Sequence, residues 1–326
     1  MTSQTHCPHR RVRVARHIVV VVMGCTLSAV APITLVPPAA HAQGSAQDLA
    51  GARDPRWAPI RKVFGQGEAE GPYFRVNLPR SDLHVSIGGD ALDPDFEFTS
   101  YIGFMPAGRG VLAMGESILL EDEVPAVLAE ARRQHVDVTA VHNHLQRERP
   151  RIIYVHVMAE GAPDDVAKRL RALFAKSATP LKPLKPEPSR ADWSAIDAVL
   201  GTHSEAEGSV AEYVFPRREQ LTVRGRPVES SGALETASEV VFQQLGGGRV
   251  ANTGELYLLP SEVESVVRAL SEHGLDVTAL HNHMLDDGPA HYWVHWYATG
   301  NGPTLARGVE AALAQMNSAR IAAAGE

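Results

Sequence analysis

The chain has 326 residues, a formal net charge of −7 at pH 7 with histidine neutral, and two cysteines, Cys7 and Cys25. Phosphate neutralisation needs clustered Lys and Arg, so an acidic chain argues against a nucleic-acid partner and suits attraction of cations. With both cysteines near the N-terminus, the rest of the chain can form neither a disulfide nor a thiolate metal site.

At the N-terminus, His9-Arg10-Arg11-Val12-Arg13 is a basic stretch with no acid near it, and Ile18 to Val36 is a nearly unbroken apolar run. Small residues at Ala40 and Ala42 fit an A-x-A cleavage rule, so residues 1–42 read as an export signal cut near Ala42. That places the mature chain in the periplasm or outside the cell, with no stable membrane anchor. A run of this length also suits a spanning helix, which needs roughly 20 apolar residues. Val22-Met23-Gly24-Cys25 offers a lipid-anchor reading at Cys25, against which the apolar residues continuing past it argue. Arg10-Arg11 leaves twin-arginine export open beside the general route. Cleavage would remove four arginines and no acid, taking the net charge from −7 to −11.

About 280 mature residues suggest two domains, and an internal repeat supplies them. Trp57-Ala-Pro-Ile-Arg-Lys-Val-Phe-Gly65 answers to Trp193-Ser-Ala-Ile-Asp-Ala-Val-Leu-Gly201, and Gly115-Glu-Ser-Ile-Leu-Leu120 to Gly254-Glu-Leu-Tyr-Leu-Leu259. The expected layout is a flexible segment 43–56, repeat 1 over 57–177, a linker over 178–192, repeat 2 over 193–317 and a tail over 318–326. Prolines 180, 183, 186 and 188 make the linker a semi-rigid polyproline-II spacer.

Within each repeat a helix opens (57–64; 193–200), and repeat 1 then predicts strands near 73–78, 83–87, 98–104 and 110–120. A helix over 121–135 follows, acidic at its start and basic at its end. Its counterpart runs from Ser261 to His273, with Ser261 and Glu264 spaced for a capping box and Gly274 as the stop. Next come a strand from Asp137 to His144, a turn carrying Pro150 or Pro289, a return strand and a closing helix (163–176; 302–316). The fold class expected is α+β, in two tandem homologous repeats, each a mainly antiparallel sheet with two or three helices.

The chemistry sits in Asp137-Val-Thr-Ala-Val-His-Asn-His144 and Asp276-Val-Thr-Ala-Leu-His-Asn-His283, which differ at Val141 against Leu280. Residues i and i+2 of a strand share a face, so His142 pairs with His144 and His281 with His283. The return strand offers His156 or His295, twelve residues later in both copies. Three neutral imidazoles form the ligand set that leaves an open position on a catalytic zinc. Glu116 and Glu255 are equivalent carboxylates on an earlier strand, and Glu148 and Asp287 are equivalent ones before the turn proline. Each carboxylate is a candidate fourth ligand, a partner fixing a histidine tautomer, or a general base. His291 belongs to repeat 2 alone, where repeat 1 has Ile152, whereas His84, His135, His203 and His273 read as surface residues. The competing reading makes the histidines and asparagines a hydrogen-bond network that pins the turn, with no metal. His-Asn-His is not the dispersed signature of HNH nucleases, a helix directly before the strand disfavours a cupin, and no G-x-S-x-G is present.

The doubled histidine block, the preceding Gly-Glu-x-x-Leu-Leu and the proline turn resemble the LppY/LpqO-like family of exported bacterial proteins, over essentially the whole mature chain in two copies. The resemblance implies an extracytoplasmic location without naming a reaction. The expected function is therefore a divalent-metal site of three histidines plus a carboxylate in each repeat. Zinc comes first by ligand type, with copper, nickel or iron as alternatives. A metal-dependent hydrolase of unidentified small-molecule substrate would use Glu255 or Asp287 as general base for metal-bound water. The alternative is a non-catalytic metal- or ligand-binding module.

Overall fold

The computed structural model describes residues 53–320 apart from 183, 184 and 186. The expected export signal, both cysteines and part of the linker lie outside the described residues.

Repeat 1 runs α1 (Trp57–Phe64), β1 (Glu68–Glu70), β2 (Tyr73–Pro79), β3 (Val85–Ile87), β4 (Asp90–Leu92), α2 (Pro94–Glu97), β5 (Thr99–Ala107), β6 (Gly110–Leu120), α3 (Val124–Arg133), β7 (Asp137–His142), β8 (Ile152–Gly161) and α4 (Pro163–Phe174). Repeat 2 runs α5 (Ser194–Leu200), β9 (Glu205–Glu207), β10 (Val210–Pro216), β11 (Leu221–Val223), β12 (Arg226–Val228), a 3₁₀ turn (Gly232–Leu234), β13 (Ala237–Gly246), β14 (Arg249–Leu258), α6 (Val263–Glu272), β15 (Asp276–His281), β16 (Asp287–Gly288), β17 (Tyr292–Gly300) and α7 (Gly302–Leu313). Each repeat makes a six-stranded antiparallel sheet, ordered β1-β2-β5-β6-β8-β7 and β9-β10-β13-β14-β17-β15. The α+β class and the doubled architecture are as the sequence implies.

Both faces of each sheet are buried, and the two faces have different neighbours. Along β6, Val111 and Ala113 point to a core shared with Trp57 and Phe64 of α1, Val127 of α3 and Leu170 of α4. Their alternates Leu112 and Met114 point to a second core containing Leu234, Tyr257 and Trp293 of the other repeat. β14 behaves alike: Val250 and Leu256 face the helices of repeat 2, whereas Ala251 faces Phe96, Ile118 and Tyr154 of repeat 1. The sheets therefore pack face to face, with helices on both outer sides. Contact is close enough that a Cβ on Gly103 of β5 would strike the Ala233 carbonyl across the interface. Truncating Leu112 to Ala would cost about 2–5 kcal/mol, the usual range for a buried aliphatic side chain.

The same buried ion cluster holds the third helix in each copy. Arg80, 0 % exposed, donates to Asp82 at 2.9 Å, Glu123 at 2.9 Å and the Ile118 carbonyl at 2.5 Å. Arg217 repeats this with Glu219, Glu262 and the Tyr257 carbonyl. The expected capping box at Ser261 does not form. Glu262 is the N-cap residue, and its carboxylate accepts the Leu259 and Asn317 N–H groups, each at 2.8 Å. Arginine-anchored Glu262 thus ties the helix start to the preceding strand, and α6 begins two residues after Ser261. In the linker, Pro188 bridges Glu207, so this end lies against the edge of the second sheet.

Candidate metal centre

Glu116 on β6 is the register partner of His156 on β8, and Glu255 on β14 that of His295 on β17. Both pairs lie on the sheet faces turned toward the other repeat, because they alternate in phase with Met114 and Tyr257. The glycine before each glutamate has a steric reason. A Cβ at Gly115 would sit 2.6 Å from the Tyr101 carbonyl, and one at Gly254 would sit 2.8 Å from the Trp296 ring.

β7 ends at His142 and β15 at His281, so His144 and His283 occupy the turns beyond rather than the strands expected to carry them. A register shift between Val138 and Ala140, matched between Val277 and Ala279, precedes the histidines in each copy. Such bulges re-aim side chains. Asn143 and Asn282 brace the turns by donating to the Leu145 and Met284 carbonyls at 3.0 and 3.1 Å. The second histidine thereby swings inward, and His144 and His283 are each 3 % exposed.

The six histidines meet in one chamber between the repeats. His142 stacks on His281 at 3.6 Å between ring centroids, His144 on His295 at 3.7 Å and His156 on His283 at 3.7 Å. Every one of these pairs joins the two repeats. Tyr154 backs His144 at 3.6 Å, and Trp293, its positional counterpart, backs His283 at 3.9 Å. The arrangement is a pseudo-two-fold, with the His142–His281 pair at its centre.

These imidazoles do not form a hydrogen-bond network. Buried nitrogens lacking a hydrogen-bond partner include both of His142, His283 and His295 and the Nε2 atoms of His144, His156 and His281. Burying such an atom unpaired costs about 1–3 kcal/mol, so nine of them on six rings call for a ligand. His156 Nε2 and Glu116 Oε2 approach to 2.8 Å without hydrogen-bond alignment. Three sets of donor atoms converge to within 4.8 Å: Glu116, His142, His144, His156 and His283; His144, His281, His283 and His295; and Glu235, Glu255 and His283. The three histidines of each repeat thus do come together, joined by one from the other copy.

Not every carboxylate singled out in the sequence reaches this chamber. Glu148 accepts from the Ile152 N–H and from Arg151 at the turn, and Asp287 accepts the His291 N–H at 2.9 Å. Neither is in the converging sets. Proximity to the turn proline, in a cis peptide in both copies, brought them near the histidines in sequence but not in space. His291 is buried but lies apart, stacked on Tyr257 at 4.0 Å with its Nε2 3.3 Å from Glu219. His84, His135, His203 and His273 are exposed. Two further carboxylates escaped sequence reading: Glu97, 3.0 Å from His144 Nδ1, and Glu235, 4.0 Å from His283 Nδ1. They are equivalent, and the faint signal is Glu97-Phe-Thr-Ser100 against Glu235-Thr-Ala-Ser238. Each serine accepts a neighbouring strand's N–H in the same way.

The two halves differ electrically. Burial, then the other histidines, drives His142, His281, His283 and His295 well below the ordinary imidazole range, so they are neutral and fit to ligate. Burial also opposes charge on His144, but Glu116, with a further hydrogen bond to Glu97, raises it to about 9. Burial would raise Glu116, yet His156 and His144 hold it well below the carboxylate range. Glu255, by contrast, is pushed well up by burial and by Glu235 and Glu239. Burial and the Glu116 charge raise Glu235 to about 8.

A family model described as "Domain of Unknown Function (DUF1259)" matches residues 58–176 and again residues 194–315. The chain belongs to that family. It carries two tandem copies of the DUF1259 domain, and the histidine chamber lies where the copies meet. No curated protein matches. Among solved structures, one match is a trimeric bacterial microcompartment shell protein, PduB, at 11 % identity over 74 % of this chain and 86 % of that one, with a TM-score of 0.18. That score is too low to carry an argument about fold or function.

Proposed function

We propose that this is an exported metal-binding protein in which two DUF1259 domains jointly hold two divalent ions in one chamber. The observation that carries the proposal is the pair of overlapping donor sets, each containing one repeat's three histidines and both containing His144 and His283, so that six imidazoles with one lone pair each are divided between the two ions. Imidazole and carboxylate donors without thiolate fit zinc first, then copper, nickel or iron. Export is supported by the basic and apolar N-terminal segment and by the resemblance to LppY/LpqO-like proteins. Among the described residues no helix is long and apolar enough to cross a membrane.

Hydrolysis is the reaction class that suits these residues. A bound divalent ion would acidify water and polarise a carbonyl oxygen. Glu255, raised by burial and with Oε1 unpartnered, can take and return a proton at the chamber floor. One observation favours a non-catalytic metal buffer instead: a fourth protein ligand within reach would close a tetrahedral ion to substrate. Elemental analysis of protein purified without a polyhistidine tag tests the binding claim. We expect two equivalents per chain; less than about 0.2 equivalents of every transition metal, unchanged on reconstitution, would overturn it. An exchangeable water seen by spectroscopy of the cobalt-substituted protein supports hydrolysis, and its absence supports the buffer.

A further inference from the structure

A cavity of about 530 Å³ runs from the sheet edges to the histidine chamber, where Glu116, His144 and Glu255 line its inner end. Eleven carboxylates line it against the Arg75 guanidinium and the His144 imidazole; the guanidinium is already engaged by Glu235 and the Gly232 carbonyl, and His144 by Glu97. Its mouth is built twice over. The edge strands β1 and β9 both read Glu-Ala-Glu, so Glu68 and Glu70 of one repeat face the same cavity as Glu205 and Glu207 of the other. Asp95, Glu212 and Glu239 line it too, together with the apolar Phe96, Phe98 and Val241.

Two features identify the occupant. Glu255, 7 % exposed, presents an unpartnered Oε1 at the floor, so the acidic wall ends on a group that lacks its counterpart. The wall carboxylates Glu70, Asp95, Glu205, Glu207, Glu212 and Glu239 also do not converge. None belongs to a set of donors close enough to hold a metal ion, among the described residues. Point charges are chelated by converging oxygens, whereas non-converging carboxylates on a wall that also carries apolar surface match a chain of separated ammonium groups joined by methylenes. The volume falls within the roughly 300–1,000 Å³ typical of organic ligand pockets.

We propose that the cavity binds an alkyl polyamine, lying along the wall with one end at the metal centre. This rests on the metal reading for that end only, and because an alkyl polyamine has no bond for metal-bound water to cleave, it deepens the non-catalytic reading of the centre. Anionic esters are excluded by the same walls.

Calorimetric titration of the full chain with spermidine, metal-loaded and metal-stripped, tests it. Spermidine is expected to bind in both forms, with affinity falling at least ten-fold in Glu207→Gln/Glu212→Gln while metal content stays the same. Glycerol phosphate should not bind. Spermidine binding that is absent from protein with its full metal content would overturn the proposal and leave the metal reading intact. Displacement of spermidine by magnesium at equal charge concentration would overturn it too, because the wall would then be a path for inorganic ions. Polyamine binding by a chain that never takes up metal would sink the metal reading and keep this one.

Discussion

His283 is the residue on which the shared centre turns, since it belongs to all three converging donor sets. If the repeats bind metal jointly, His283→Ala should weaken both ions, although the residue sits in repeat 2. The magnitude follows from ligand number. Structural zinc sites gain about 10–16 kcal/mol overall, so one of four ligands supplies ~3–4 kcal/mol. At about 1.4 kcal/mol per decade this is a 10²–10³-fold loss of affinity. The substitution also opens a gap between Trp293 and His156, which stack on the ring from either side at 3.9 and 3.7 Å. Urea denaturation of the metal-free protein should therefore accompany the assay, to separate lost ligation from lost packing. The assay itself is competition against a chelator of known affinity, read as two binding constants, with exposed His273→Ala as the control. Retention of one full equivalent at unchanged affinity would refute the reasoning, because repeat 1 would then complete its own site without its partner.

Three further outcomes are expected. Replacing Arg217 by Ala strands Glu219 and Glu262 around a fully buried position, and should destabilise the fold by about 3–5 kcal/mol in urea denaturation, with Arg80→Ala similar. Trp293 lies against His283, so copper(II) or nickel(II) should quench tryptophan emission, and Trp293→Phe should remove most of that response; quenching unchanged in the variant would place the metal elsewhere. The metal-free protein should show a pH-dependent stability with two limbs. His144, raised on folding to about 9, contributes stability fully present below about pH 6.5 and lost as pH rises through about 9. Glu116, depressed on folding, contributes stability present above about pH 4.3 and lost as pH falls from there. His142, His281, His283 and His295, depressed on folding, act in the opposite sense by costing stability as pH falls below about 6.5. The difference in urea midpoint between the parent chain and Glu116→Gln should therefore be largest near pH 5–6 and shrink on either side.

The doubled histidines, their spacing and the paired Glu116 and Glu255 could be read from the chain because the duplication supplied an internal comparison. Which histidines would touch could not. β6 is apolar on both faces, so its sequence does not say which side meets helices and which meets a second sheet. The cross-repeat pairing follows from that choice alone. Glu97 and Glu235 were missed because only a short Glu-x-x-Ser match flags them, on segments that form a helix in one copy and a 3₁₀ turn in the other. Glu148 and Asp287 drew attention through nearness in sequence, yet each is held at its own turn. The repeated Glu-Ala-Glu passed unnoticed because three residues on an edge strand carry no periodicity.

The linker across 178–192 can be viewed as a substitute for dimerisation. Tethering by a short segment sets an effective concentration of about millimolar, so the two sheets meet without a second-order encounter. A pair of identical chains related by a true two-fold must carry every change twice, once in each half. A tethered pair is released from that constraint. Arg75 stands where repeat 2 has Glu212, and His291 where repeat 1 has Ile152. One polypeptide can thereby keep a symmetric ring of imidazoles while giving its two sides different charge, and two ions in such a chamber need not be equivalent.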